Sequence, residues 1–274
     1  MKITDTLFAI PDIIAIQHIG TALSGANRPL FIEGIDKQQG SRGDYVLKYR
    51  GAERMTESTS AKELLAAFIA TEIGIQTPKP VLIHVLDNFL ETLTQHIDYQ
   101  NIQKGKGVNF GSVKIEPNNT IIYRQQLTIE QQQQALQIFV FDLWIQNADR
   151  RFEKSNMFLS EDKIVVIDHE LAFSFLDVFS FVAQSPPFLL DSMEINSAKN
   201  HFFYSTLHQN KHVDLDAAFQ LFSALNLYFW QRVQLFTPMD WLKALNIKRI
   251  ENHSNLILEN CGTFKQEIWK KLMV

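Results

Sequence analysis

Between Trp144 and Phe173 the chain reads WIQNADRRFEKSNMFLSEDKIVVIDHELAF, and few folds can accommodate that order of residues. An apolar helical run ends near Asn147, and a short polar loop then presents Asp149. Asn156 follows, leading into Met157-Phe158-Leu159 as a short strand. A tight SEDK turn returns the chain as Ile164-Val165-Val166-Ile167, which delivers Asp168. A hairpin brings its two outer ends together, so Asn156 and Asp168 are expected on one rim beside Asp149. A carboxylate at the end of a Val/Ile strand is costly unless a cation or a metal compensates it. Hard cations such as magnesium take oxygen donors and keep waters for substrate phosphates. An Asn/Asp pair for the metal, with one spare carboxylate to orient or deprotonate a hydroxyl, is what phosphoryl transfer requires. The simpler readings are a helix-terminating loop residue for Asp149 and a turn residue for Asn156.

Upstream, the first third reads as strands. IIAIQHIG (13–20) and PLFIEGID (29–36) are separated by TALSGANR, whose Ser24, Gly25 and Asn27 supply turn chemistry. The third strand, DYVLKYRG (44–51), places Val46 and Lys48 on the same face. That is odd for a plain amphipathic strand and useful for one that lines a cleft. SAKELLAAFIATEIG (60–74) reads as a helix with Ser60 as N-cap, Glu63 at the capping-box position and Gly74 past its end. Pro78 and Pro80 launch a strand over 80–86. The stretch 88–127 is hard to assign, and its Gly105, Gly107 and Gly111 suggest a loop crossing between two parts of the molecule. Thr128 and Gln131 form a second capping box, opening a helix whose glutamine run is expected to be a solvated first turn. Beyond about 175 the pattern is mainly helical.

Bulk properties narrow the class of function. The net charge of -4, with Lys and Arg scattered, gives no basic stripe, so no nucleic-acid partner is expected. The single cysteine, Cys261, excludes an internal disulfide and is expected to be structural. Asp142 interrupts IFVFDLWI and Asp177 interrupts LAFSFLDVFSF, so no run reaches the ~20 apolar residues of a membrane span. The opening MKITDTLFAI lacks the apolar core and small-residue cleavage site of a signal peptide, which makes a cytoplasmic setting the expectation. His169 beside Asp168 invites a zinc reading, but His169 has no histidine four residues away on either side and the chain has no Cys pairs to complete a site.

The order N-A-D-R, then an Asn, then a hydrophobic strand ending in I-D-H, resembles the catalytic core of the HipA-like kinase family. More distantly it resembles phosphoinositide kinases and protein kinases. The step from Asp149 to Asn156 is longer than in the protein-kinase loop, and is similar to the version found in a subset of HipA-like kinases. YVLKY resembles the lysine strand, KELLAAFIATEIGIQTPKPVLI the helix and Pro-led strand after it, and GVNFGS a glycine–phenylalanine segment between the lobes, so the similarity spans about 13–175. The resemblance implies an α+β, protein-kinase-like bilobal fold. Residues 1–87 would form a small nucleotide-binding β-sheet lobe, and 88–274 a larger, mainly helical catalytic lobe. It implies ATP and magnesium as cofactors, with Lys48 on the phosphates, Glu63 as its partner, and Ser24 and Gly25 in a loop over the phosphates. Asp149 would be the catalytic base, and Asn156 and Asp168 the metal ligands. Glu57 and Glu72 are the substitutes for Glu63, whose position a cap with Ser60 would also explain. The implied reaction is phosphorylation of a protein serine or threonine. The same residues would serve a small hydroxylated acceptor, nucleotidyl transfer, or a nucleotide-binding regulator in a toxin–antitoxin-like pair. Glu170 stands where the family pattern has glycine, which favours the regulator. One of Arg150 and Arg151 is expected to tie the loop down by pairing with a carboxylate.

Overall fold

The computed structural model describes residues 1–22, 27–116, 119–177, 185–190 and 197–273. These form two compact units. The first comprises Met1–Phe68, Pro78–Glu116 and Val233–Leu245; the second comprises Ile69–Thr77, Pro117–Arg232 and Asn246–Val274.

In the first unit, strands β1 (Asp12–Thr21), β2 (Leu30–Asp36), β3 (Arg42–Lys48), β4 (Pro80–Val85) and β5 (Gly107–Val113) close a barrel in the order β1-β2-β3-β5-β4. Only the β1–β4 pairing, Asp12↔Leu82 to Ile14↔His84, is parallel. Alternation along the strands fills the interior with Ile13, Leu30, Ile32, Leu47, Val81 and Ile83, all removed from solvent. Among the described residues, closure leaves the barrel itself without an open edge strand.

The stretch that suggested a crossing loop is β5, paired to β3 through Lys48↔Phe110 and to β4 through Leu82↔Phe110. Its glycines hid it, because they carry no strand propensity of their own. Gly111 is required by packing: a Cβ there would lie 2.2 Å from Ile83 Cδ1 and 2.7 Å from the Val46 carbonyl oxygen. Buried Asn109 ties the segment down. Its amide donates to the Gly105 and Gly107 carbonyls at 2.7 and 2.9 Å, and its oxygen accepts from Arg50 N–H at 2.7 Å.

Helix α1 (Glu57–Glu72) begins a turn earlier than the sequence suggests. Thr56 Oγ1 accepts from the Thr59 N–H at 3.1 Å, so Thr56 supplies the capping chemistry expected of Ser60. The Ser60 hydroxyl instead donates to the Thr56 carbonyl at 2.8 Å. At the other end Gly74 N–H meets Thr71 O at 3.2 Å and Ile75 N–H meets Ala70 O at 2.8 Å, the Schellman pattern. Gly74, at φ +84, takes the left-handed position that closure needs.

In the second unit, short helices α2 (Asp87–Glu91) and α3 (Tyr99–Lys104) having been left in the first, the chain resumes with β6 (Asn119–Thr120) and α4 (Ile129–Trp144). The Thr128/Gln131 capping box is present, with both bonds made at 3.1–3.2 Å. The glutamine run is partnered rather than solvated. Gln133 bonds both backbone groups of Asp214 at 2.8 Å, and Gln134 accepts from Ile164 N–H at 2.9 Å. Strands β7 (Met157–Ser160) and β8 (Lys163–Val166) form the expected hairpin, with register Met157↔Val166 to Ser160↔Lys163. Glu161 holds the turn at φ +55, and β6 adds on the β7 side.

The remaining elements are helical: α5 (Tyr204–Leu207), α6 (Leu215–Gln220), α7 (Leu227–Phe236), α8 (Met239–Ala244), α9 (Ile247–Glu259) and α10 (Cys261–Met273), with α8 and the end of α7 belonging to the first unit. Trp144 centres the aromatic core, stacked on Phe222 at 4.3 Å and edge-on to Phe264 at 6.0 Å. Cys261 is exposed at the start of α10 and fills no core position, contrary to the structural role expected of it. The architecture is mixed α/β, strand-rich in its N-terminal region and helical in its C-terminal region. Among the described residues no helix is long and apolar enough to cross a membrane.

Candidate active site

Lys48 is the last residue of β3. Alternation turns Tyr45, Leu47 and Tyr49 into the core and leaves Val46 and Lys48 on the other, partly open face. The Lys48 ammonium ion-pairs with Glu63 of α1, whose side chain is only 2% exposed. A carboxylate so buried needs a cationic partner to remain charged without a large cost. Ser24 and Gly25 lie outside the described residues.

The second group grows from the end of α4. After the C-cap Ile145, the Asn147 side chain donates to Asp142 Oδ1 at 2.9 Å and accepts from the Asp149 N–H at 3.3 Å. This fixes the turn that carries Asp149. The Asp149 carboxylate is buried and receives Lys154 Nζ at 2.6 Å and Asn156 Nδ2 at 3.2 Å, with an Arg151 nitrogen 3.8 Å away. Lys154 also lies 3.3 Å from Asp168 Oδ2, so one ammonium links the two carboxylates. Partial burial lowers the Lys154 pKa, but Asp149 and Asp168 together raise it further, and the net shift is upward. Asn156 and Asp168 face each other across the hairpin base, where Ile167 N–H donates to Asn156 O at 3.0 Å. Both take left-handed backbone, φ +48 and +61, which Asn and Asp tolerate better than most residues.

Sequence reading missed Lys154. The available signal was the question of what cation could neutralise two carboxylates brought to one rim.

Of the two arginines, Arg150 ties the loop down, while Arg151 is exposed. Arg150 is fully buried and forks onto Asp142, with Nε to Oδ2 at 2.6 Å and Nη2 to Oδ1 at 3.4 Å. Its Nη1 donates to the Asn156 carbonyl at 2.6 Å, so one side chain spans the loop from the helix to the asparagine at the hairpin base. His201 adds a third member, 3.0 Å from Asp142 Oδ2. The backbone joins in, with Phe202 N–H donating to Arg150 O at 2.9 Å and a bridge pairing Arg151 with His201. Burial pushes the Asp142 carboxyl up, but the Arg150 charge and the His201 bond pull it down further, to about 2. Burial lowers the His201 pKa against the pull of Asp142, favouring the neutral ring. Asp142 entered the sequence reading only as the charge that breaks an apolar run, and His201 not at all. Glu170, two residues past Asp168, is buried.

The donor set suits a hard divalent cation. Asn156 uses its amide nitrogen on Asp149, which leaves its oxygen for another partner, and Asp168 adds a carboxylate from the same rim. Asp149 combines burial with hydrogen-bonded orientation, as a group handling a hydroxyl proton would need. No curated protein matches the chain. A family model described as HipA-like kinase matches residues 19–183, a span that covers well over half the chain and contains Lys48, Glu63, Asp149, Asn156 and Asp168, and so the chain belongs to the HipA-like kinase family.

Proposed function

We propose that the chain is an ATP- and magnesium-dependent phosphotransferase of protein-kinase-like fold that acts on a serine or threonine hydroxyl. The observation that carries this reading is the Asp149–Lys154–Asp168 link with Asn156 bonded to Asp149, an orienting carboxylate and two metal-type donors on one loop and hairpin. In this reading Lys48, held by Glu63, contacts the nucleotide phosphates. Asn156 and Asp168 hold magnesium, which supplies neutralisation of phosphate charge. Asp149 orients the acceptor hydroxyl and takes its proton as the new O–P bond to the γ-phosphorus forms. The bond from that phosphorus to the bridging oxygen breaks, and ADP leaves. Lys154 keeps Asp149 in place and supplies positive charge beside it.

Buried Glu170, standing where the related motif has glycine, favours a second reading, a nucleotide-binding regulator in a toxin–antitoxin-like pair. Labelled ATP separates the possibilities. Label transferred from the γ position alone supports phosphorylation, label from the α position indicates nucleotidylation, and no transfer supports the regulator. Asp149→Asn keeps the size and loses the base. Single-turnover transfer should fall by about 10²–10⁴-fold while ATP affinity stays near the parent's. An unchanged rate would remove Asp149 from the mechanism.

A further inference from the structure

Residues 151–154 form a two-residue turn closed at its base, with Arg151 N–H to Lys154 O and Lys154 N–H to Arg151 O both at 3.1 Å. The base residues Arg151 and Lys154 are the two cations that face Asp149, at 3.8 and 2.6 Å. The tip, Phe152 and Glu153, therefore projects immediately beside the candidate catalytic carboxylate, and it carries an exposed apolar ring next to an exposed carboxylate. Phe152 is 51% exposed, and its ring lies 5.7 Å from that of Tyr123, itself 36% exposed. Ile122, 69% exposed, extends the patch along the chain.

The patch has a firm backing. Tyr123 packs edge-on to buried Phe202 at 5.7 Å, and Phe202 is bonded through its N–H to Arg150 O. Arg124 places its guanidinium 5.2 Å from the Tyr123 ring, and Arg151 is half exposed at the turn base. Exposed aromatic rings flanked by arginine are the composition of a protein-recognition surface, since Tyr, Phe and Arg are enriched where polypeptides dock. Small-molecule sites are concave and enclose most of their ligand, whereas a turn tip projects.

We infer that the Phe152–Tyr123 surface is the docking site for a polypeptide acceptor, one that carries an aliphatic or aromatic residue close to its hydroxyl residue and an acidic residue beside that. The apolar side chain lies on Phe152 and Tyr123, and the acidic one meets Arg124 and Arg151. An extended chain advances about 3.3 Å per residue, and the tip is one residue beyond the base that touches Asp149. The apolar residue therefore falls within roughly three positions of the hydroxyl.

The inference rests on the phosphotransferase reading for its purpose, but two readouts keep them separable. The probes are a short fluorescent serine peptide with one leucine near the serine and flanking glutamates, the same peptide with glycine for leucine, and glycerol as a small hydroxylated acceptor. Binding is read by fluorescence anisotropy and transfer by γ-labelled ATP, on the full chain with magnesium. Phe152→Ala and Tyr123→Ala should each weaken binding of the leucine peptide about tenfold or more, with ATP affinity and basal ATP hydrolysis unchanged. Phe152→Leu should restore most of the binding. The glycine peptide should bind the parent as weakly as the leucine peptide binds Phe152→Ala. Equal binding of the leucine and glycine peptides, no detectable binding of either, or transfer to glycerol in preference to the leucine peptide would overturn the inference. Binding that depends on Phe152 without any transfer of label would leave the surface standing and overturn the phosphotransferase reading instead.

Discussion

Asp142 shows how much of the candidate site hangs on one side chain that touches no reactant. It accepts from Arg150, Asn147 and His201, and those three hold the loop that displays Asp149 and Asn156. Asp142→Asn would leave the Arg150 guanidinium buried without its counter-charge. Breaking a buried pair from one side costs about 3–5 kcal/mol, which should appear as a lowered urea midpoint with the slope unchanged. Arg150→Lys should be nearly as damaging, because an ammonium cannot fork onto Asp142 and also reach the Asn156 carbonyl.

Acid should act through the buried histidines first. His253 is pushed down to about 4, chiefly by burial, although its ring N–H donates to the Trp144 carbonyl at 2.9 Å. His201 shifts in the same direction. A histidine whose folded pKa is depressed stabilises the fold above its unfolded value near 6.5 and loses that contribution as pH falls. Stability should therefore decline from about pH 6.5 towards 4, with a His253 share on the order of 3 kcal/mol. Asp142 adds its loss only below the ordinary carboxylate range. Denaturation midpoints measured across this window should fall steadily in the parent and more gently in His253→Gln; a flat parent profile would contradict the assignment.

Among the elements, the start of α1 offers a sharp contrast between two hydroxyl residues one turn apart. Thr56→Ala removes the acceptor of the Thr59 N–H and should cost about 1 kcal/mol. Ser60→Ala removes only a hydroxyl bonded back to a helix carbonyl, and should change the melting temperature little. The reverse order would restore Ser60 as the cap. The hairpin expected over 157–167, and the capping box of α4, were readable in advance because their geometry is local: alternation, a tight turn and side chains three residues apart decide them. The proximity of Asp149, Asn156 and Asp168 follows from the same local geometry. Strand β5 was not readable, since the reason for Gly111 is its closeness to Ile83 and Val46, residues far away in the chain. The Asp142–His201 bond hid for the same reason, its partners being 59 positions apart. Lys48 and Glu63 lie on different elements, so alternation could give the face of Lys48 but not the identity of its partner.

At the scale of the whole molecule, the first unit is not contiguous in sequence. Its barrel lies within the first 116 residues, but Val233–Leu245 also belongs to it. That late segment is no loose appendage: Val233, Trp241 and Leu245 are buried, and Phe236 meets Phe8 edge-on at 5.0 Å. A fragment ending at Glu116 should therefore expose the apolar surface that this segment covers. It should bind a hydrophobic dye and aggregate on heating, and a synthetic 233–245 peptide should suppress both. A fragment that is monomeric, dye-silent and cooperative on its own would show the segment to be dispensable. The arrangement also sets a clock during biosynthesis. At about 5–20 residues per second, the ribosome needs on the order of ten seconds to carry the chain from the end of β5 to the segment that completes its unit. For that interval the first unit remains incomplete while the helical remainder is being made. Codon choice and chaperone occupancy across residues 117–245 should thus govern the yield of folded protein more strongly than across the stretch before them.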